Sequence, residues 1–395
     1  MKKLVLGVAL LTTLSSLSLV SCGKSTEKNI DDLAKAASKM TEEELIAKAK
    51  EESGAFLAYG NTSRITKAVE NFKEKYGSQI NLTEATGTKL SDTEIYTSLT
   101  NEYSVADNSK GASFVLVQDS ASLASYRENS NILTNYYPES LVGKLDENEL
   151  VPLTHQYINK LFMWNNTAGE DAPKFSNVWE LTEAKYKNKI YFKSPKSEQV
   201  NMNFLTMLTS DEWVGKLTTA YKSYFGTDYV ADSKYESIAY KWIVEFLANA
   251  DTSSYTSDTK MASGLSQTTN SDKVGLFVLS KLRDSSVLSD NLTVGAWEEN
   301  SITPFAGFMY AIYAQVATNA PRPYTAMLFT NYLMTAEGFN PWGGSIGGYS
   351  SNVDIPVYEG DKEVSFYKQC LVFENGSYIN SVKVKVEDFI NKQLG

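Results

Sequence analysis

A chain of 395 residues that is 42% hydrophobic, 12% aromatic and 21% charged can form two lobes and bury a large core. Its formal charge of −10 argues against nucleic acid as a partner, since phosphates demand a basic footprint. Two cysteines and one histidine leave no spacing for a cysteine/histidine metal cluster.

The first element is a leader. Lys2 and Lys3 precede an apolar run, Leu4 to Val20, that is diluted by Thr12, Thr13, Ser15, Ser16 and Ser18, and no other apolar segment reaches spanning length. Leu19-Val20-Ser21-Cys22 resembles a bacterial lipobox, which implies a signal peptide over 1–21 and acylation of Cys22. Two or three acyl chains, at about 0.8 kcal/mol per buried methylene, make a lasting anchor on the extracytoplasmic face of a bacterial membrane, facing the periplasm or the cell surface. Processing removes both lysines, so the charge becomes −10 − 2 = −12. It also leaves Cys370 without an intrachain partner. Residues 22–40 are small and charged and read as a tether, with a weak stripe at Ile30, Leu33, Ala37 and Met40.

Thr41-x-x-Glu44 is a capping box that opens a helix, which Gly54 can end. Ala55 to Tyr59 reads as a strand, Gly60 to Ser63 as a polar loop, and Ile65, Val69, Phe72 and Tyr76 as the buried stripe of a helix. Ala112 to Val117 is another apolar strand, ending in Gln118-Asp119-Ser120. Lys189 to Phe192 repeats the grammar, with the loop Ser194 to Glu198 and a stripe at Val200, Phe204, Met207 and Leu208. Such alternation implies an α/β fold with parallel sheets covered by helices. Ligands then collect outside the carboxyl ends of the strands, where loops and helix N-termini offer unpaired NH groups. Residues 251–272, rich in Ser and Thr, read as a surface excursion, and Asn375-Gly376 as a hairpin turn before a closing helix over 386–394.

Three stretches carry a resemblance. Residues 44–77 (ELIAKAKEESGAFLAYGNTSRITKAVENFKEKYG) resemble the opening of the extracellular solute-binding proteins of ABC importers, in the ferric-iron-transport-like branch. Residues 178–201 (VWELTEAKYKNKIYFKSPKSEQVN) are similar to that family's mid-chain signature, and 317–339 (ATNAPRPYTAMLFTNYLMTAEGF) to its late helix. The resemblance implies a type II periplasmic-binding-protein fold, with two α/β lobes, a hinge and an interlobe ligand cleft. Lobe one would be discontinuous, over 41–157 and 300–395, and lobe two would span 158–299. Carried over position by position, the ligand loops correspond to Asn61, Thr62, Ser63 and Arg64; to Asp119; to Trp164-Asn165; to Ser194, Ser197 and Glu198; and to Trp297. Thr62 and Ser63 also read as helix caps, Ser197 and Glu198 as an N-cap and first-turn acid, and Trp164 and Trp297 as core.

The resemblance also raises ferric iron, for which such proteins supply two adjacent tyrosines after a strand of lobe two. The corresponding stretch, 271–283 (SDKVGLFVLSKLR), holds none, and Tyr136-Tyr137 fits a surface turn better. No cofactor or metal is expected. His155 is the only imidazole available to a hydrolase and falls in a crossover strand; there is no Gly-x-Ser-x-Gly elbow and no P-loop. Gly343 to Gly348 is a flexible loop by the same resemblance. The expectation is a monomeric, non-enzymatic, lipid-anchored binding protein that hands a small polar or anionic solute to a membrane permease. A ferric-iron or polyamine binder, an adhesin or scaffold, and a hydrolase remain alternatives.

Overall fold

The computed structural model describes residues 29–105, 108–298 and 301–394; the leader and Cys22 lie outside them. Among the described residues no helix is long and apolar enough to cross a membrane. In chain order the strands are β1 (Phe56–Gly60), β2 (Ala85–Lys89), β3 (Phe114–Val117), β4 (Leu133–Thr134), β5 (Thr154–Asn165), β6 (Ile190–Phe192), β7 (Ala250–Asp251), β8 (Val274–Val278), β9 (Leu292–Val294), β10 (Gly307–Ala317), β11 (Tyr349–Ser350) and β12 (Val372–Phe373). The main path of the sheet runs β2-β1-β3-β10-β5-β8-β6-β7.

Two parallel sets, β2-β1-β3 and β8-β6-β7, form the cores of two lobes. Between them run the two longest strands. β10 pairs antiparallel with β3 through Tyr313–Val316 and with β5 through Gly307–Tyr313, and β5 pairs with β8 through Lys160–Trp164. One strand therefore carries the chain out of the first lobe and the other brings it back. The inner parallel strands are almost wholly apolar, as helices on both faces require: β3 reads FVLV and β8 VGLFV, every residue buried, whereas the edge strand β2 reads ATGTK and is largely uncovered.

Local signals explain the helices. Thr41 and Glu44 close the capping box on Glu42–Lys50. Ile65, Val69, Phe72 and Tyr76 are the buried face of Arg64–Tyr76, where Phe72 meets Phe56 and Phe329 edge-on or tilted. Three segments differ from the sequence reading. Residues 30–37 are helical and docked: Ile30, Ala34 and Ala37 are buried against Pro323–Leu333 and β4, and Glu139 N donates to Ser38 O at 2.8 Å. An apolar stripe of one large and two small residues lets this helix lie close to the body. Asn375-Gly376 makes no hairpin; Asn375 Oδ1 accepts from Tyr378 N at 3.0 Å and caps a helix over Gly376–Leu394. That helix packs on both Ser120–Ala124 and Gln199–Met207, one from each lobe. Residues 251–272 are no surface excursion, for they contain the helix Asp258–Leu265, whose Met261, Ala262 and Leu265 are buried.

Two buried ionisable side chains show what the core tolerates. Arg322, 1% exposed, donates to the carbonyls of Gly54 (3.0 Å), Ala49 (3.2 Å) and Ile80 (2.8 Å). Glu52 completes the arrangement, accepting from Tyr324 N and Thr325 N at the start of Pro323–Leu333. Glu374 lies behind the hinge, next to Asn203, with Oε2 buried and unpartnered. Burial, and then the charge of Asp119, push its carboxyl up to about 8.

Arg322→Met strands three buried carbonyls and is expected to lower unfolding free energy by about 3–5 kcal/mol in urea titrations. Glu374 gives a pH signature. Its proton is held more tightly in the folded chain than near 4.5, so this contribution is full at low pH and is lost as pH rises through about 8. Chemical denaturation at pH 5 and pH 8.5 should show Glu374→Gln losing less stability than wild type across that interval, by on the order of a few kcal/mol. Equal losses would reject this assignment.

Candidate functional site

Strand alternation sets the floor of the site. On β5, Gln156 and Ile158 face one side of the sheet, and with Tyr310 of β10 they underlie a cleft of about 600 Å3. Loops at the carboxyl ends of the parallel strands make its walls. The first lobe contributes residues 61–64, 89–94 and Gln118; the second contributes Lys193, 197–199, 257–259 and the segment after β8.

The structure brings together Asn61, Thr62, Ser63, Arg64, Ser197 and Glu198. Ser63 precedes its helix without a side-chain cap, and the first turn holds no acid, so this helix N-terminus stays open to an anion. Ser197 turns its hydroxyl back onto Ser194 O at 3.1 Å. Ser194, whose Oγ accepts from Lys196 N, is not part of the cleft wall. Asp119 is buried behind the wall, accepting from Ala121 N and Ser122 N as a helix cap, and its neighbour Gln118 faces the cleft instead. Trp164 and Asn165 are far away: Trp164 lies six residues along the strand from Ile158, the nearest cleft residue on β5, roughly 20 Å. Trp164 packs on Phe175, and Asn165 Nδ2 donates to Leu265 O (2.7 Å) and Gln267 O (2.9 Å). Trp297 donates to Tyr367 Oη at 3.2 Å beside a separate depression that includes Cys370.

Sequence reasoning missed Lys89, Asp92, Asp258, Lys281, Arg283 and Trp342, all of which line the cleft. Ser280-Lys281-Leu282-Arg283 was the legible signal, because two cations follow directly on the carboxyl end of a buried strand. Gly347 lets this segment pass: its φ is +81°, and a Cβ there would lie 2.6 Å from Ser280 N. Residues 343–344 end the helix Ala336–Gly343, and Gly347 and Gly348 reach the cleft.

The charges are arranged with a consistent sense. The Arg64 side chain makes no hydrogen bond or ion pair among the described residues, and burial lowers its pKa. Arg283 donates only to neutral groups, Ser345 Oγ at 3.0 Å and Ile346 O at 3.4 Å; burial, and then the charge of Arg64, bring it down to about 10. Lys281 is likewise lowered by burial, against the pull of Asp258, with Arg283 and Lys89 adding to the effect. Cations on opposite walls therefore feel each other. The cleft also holds buried N–H donors without acceptors: Asn61 Nδ2, Gln156 Nε2 and Trp342 Nε1.

Its acids are muted. Glu198 meets Lys160 Nζ at 3.3 Å and also Lys193; burial pushes its carboxyl up, but the two lysines outweigh that and hold it below the ordinary range. Asp258 lies 3.5 Å from the same Lys160 Nζ. Asp92, chiefly through burial, is pushed up to about 7, so near neutral pH a large share of it carries no charge. Tyr310 is the one tyrosine among the described residues that line the cleft, and those residues contain no three-membered His/Cys/Asp/Glu group placed to hold a metal. Tyr136 is buried and donates to Asn331. His155 is fully buried against Trp342, their ring centroids 4.8 Å apart, and burial lowers its pKa to about 3.

No protein-family model and no curated sequence matches the chain. Solved structures do. A Trichodesmium protein in complex with iron and citrate is 17% identical with a TM-score of 0.59. The ferric binding protein from Campylobacter jejuni is 13% identical (0.62), and an iron-bound protein from Pseudomonas aeruginosa 11% identical (0.63). Each alignment covers 86% of this chain and 99% of the other. At this identity the likeness establishes the fold alone: the chain has the type II periplasmic-binding-protein fold, two α/β lobes joined by a hinge with a cleft between them.

Proposed function

We propose that the protein is the substrate-binding component of an ABC importer, lipid-anchored through Cys22 on the extracytoplasmic face of a bacterial membrane, and that its cleft takes a small anionic solute. The observation that carries the ligand class is the set of unpaired donors. Arg64, Arg283 and Lys281 lack ionic partners within ion-pair distance, and the lining residues Asn61, Gln156 and Trp342 each carry a buried N–H without an acceptor. Leaving a buried donor unmet costs about 1–3 kcal/mol. An anion supplies the charge that the three cations lack.

We place the lobes at 41–157 with 300–395, and at 158–299, with the crossings on β5 and β10. The chain would act as a monomer, delivering its solute to a permease whose ATPase is a separate chain. Catalysis is not required by this reading: the one histidine is sealed in the core. A second reading follows from the Trichodesmium structure, which holds iron and citrate. A ferric chelate with net negative charge suits these cations, whereas a bare ferric ion between Arg64 and Arg283 meets repulsion.

A thermal-shift screen of inorganic phosphate, phosphonates, sugar phosphates, citrate, ferric citrate and polyamines tests the class. An anion at 100 times its dissociation constant should add about 2.7 kcal/mol. By calorimetry, Arg64→Ala and Arg283→Ala should each cost about 1.5–3 kcal/mol of binding, more than Glu198→Ala. A larger loss for Glu198→Ala would turn the cleft into a cation site. Cys22→Ser should move the protein out of the membrane fraction, and an unchanged membrane pool would reject the anchor.

A further inference from the structure

The cleft is lined by acids as well as bases, and its preference depends on which acids remain uncompensated. Lys160 decides this from outside the cleft. It stands on β5 two residues beyond Ile158, on the same face of the strand, and its side chain is 0% exposed. Its Nζ sits 3.3 Å from Glu198 Oε1, 3.5 Å from Asp258 Oδ1 and 3.0 Å from Asn201 Oδ1. Asn201, itself fully buried, donates from Nδ2 to Lys193 O at 2.7 Å and so fixes the segment whose lysine covers the other oxygen of Glu198. Glu198 and Asp258 come from different segments of the second lobe, and both face the cleft. One buried cation lies within ion-pair distance of both, by a hydrogen bond to Glu198 and by charge alone to Asp258, whose Oδ1 has no hydrogen-bond partner.

We propose that Lys160 is the specificity-determining residue of the cleft: by neutralising Glu198 and Asp258 from beneath, it makes an anion site of a pocket that would otherwise receive amines. This rests on the anion-binding reading above. The arithmetic is simple. Lys160, Lys193, Glu198 and Asp258 sum to zero; without Lys160 they sum to −1, placed in a wall whose low effective dielectric makes one charge felt over several ångströms. A buried lysine kept only for packing would be replaceable by an apolar chain of similar length, and a buried ion pair is often no better for stability than its apolar substitute.

Thermal shift and calorimetry with inorganic phosphate and with putrescine, on wild type, Lys160→Met and the double variant Lys160→Met/Glu198→Gln, test the assignment. Lys160→Met should bind phosphate about tenfold more weakly and gain a putrescine-dependent stabilisation that wild type lacks. The double variant, neutral again, should recover phosphate binding to within about threefold and lose the putrescine response. Rescue by deleting a second charge is not expected of a packing role. A folded Lys160→Met with both responses unchanged overturns the proposal. If Lys160→Met does not fold, Glu198→Gln alone decides: it leaves the group at +1 and should tighten phosphate by about the same factor, and no change would overturn the proposal. Absence of any phosphate response in wild type would count against the anion reading, while the gain or absence of putrescine binding in Lys160→Met still judges Lys160.

Discussion

The pairing of β5 with β10 is the constraint on which the molecule depends. These are the only two strands of the described residues with more than ten residues, and their antiparallel register from Gly307↔Leu161 to Tyr313↔Thr154 joins the lobes. Because side chains alternate, one row from β5 (Gln156, Ile158, Lys160) lies on a single face, and that row connects the cleft floor to the charge group of the second lobe. Gly307 marks how tight the pairing is, since a Cβ there would sit 2.1 Å from Lys160 O. A change in the hinge therefore acts on the floor of the cleft and on Lys160 together.

Behind the first lobe, a buried charge is fully met. Arg322 meets three carbonyls, and Glu52 caps the helix that follows it. The cleft differs chiefly on the cationic side, although Asp258 Oδ1 is also without a hydrogen-bond partner. Its acids are paired or protonated, whereas Arg64 has no partner and Arg283 only neutral ones. Whole-molecule charge, screened within about 8–10 Å at physiological salt, affects the rate of encounter more than the preference of a pocket.

Much of the fold was legible because its signals are local. The stripe Ile65, Val69, Phe72, Tyr76 and the Thr41 capping box need only neighbours in sequence, and both appear as read. The loop 61–64 was legible for the same reason, being a polar turn between a buried strand and an amphipathic helix. Errors arose where tertiary packing chose between local options. Asn375-Gly376 suits a hairpin, yet Asn375 caps a helix because that helix can pack on both lobes. Residues 251–272 look like loop by composition, but Met261, Ala262 and Leu265 seat a helix that delivers Asp258 to the cleft. Trp164 and Asn165 showed the opposite failing, a familial pattern of residue types carried to a strand end whose distance from the cleft no local pattern reveals.

On the function proposed above, cations facing each other across the hinge would couple occupancy to closure. Two like charges about 6–8 Å apart repel by on the order of 2–3 kcal/mol at an effective dielectric near 20. Arg64 against Arg283 and Lys89 against Lys281 would thus oppose the approach of the walls when the cleft holds only water; Arg64 lowers the pKa of Arg283, and Lys89 that of Lys281, in that sense. An anion placed between them reverses the sign, so that every cation attracts the centre and closure is favoured by the groups that resisted it. The differential is what a conformational switch requires, because a ligand shifts an equilibrium only by the difference in its affinity for the two states. Neutral donors such as Trp342 Nε1 and Gln156 Nε2 would fix orientation without contributing to that reversal. The arginines and lysines supply the force, and Lys160, by keeping Glu198 and Asp258 neutralised, prevents the second wall from cancelling it.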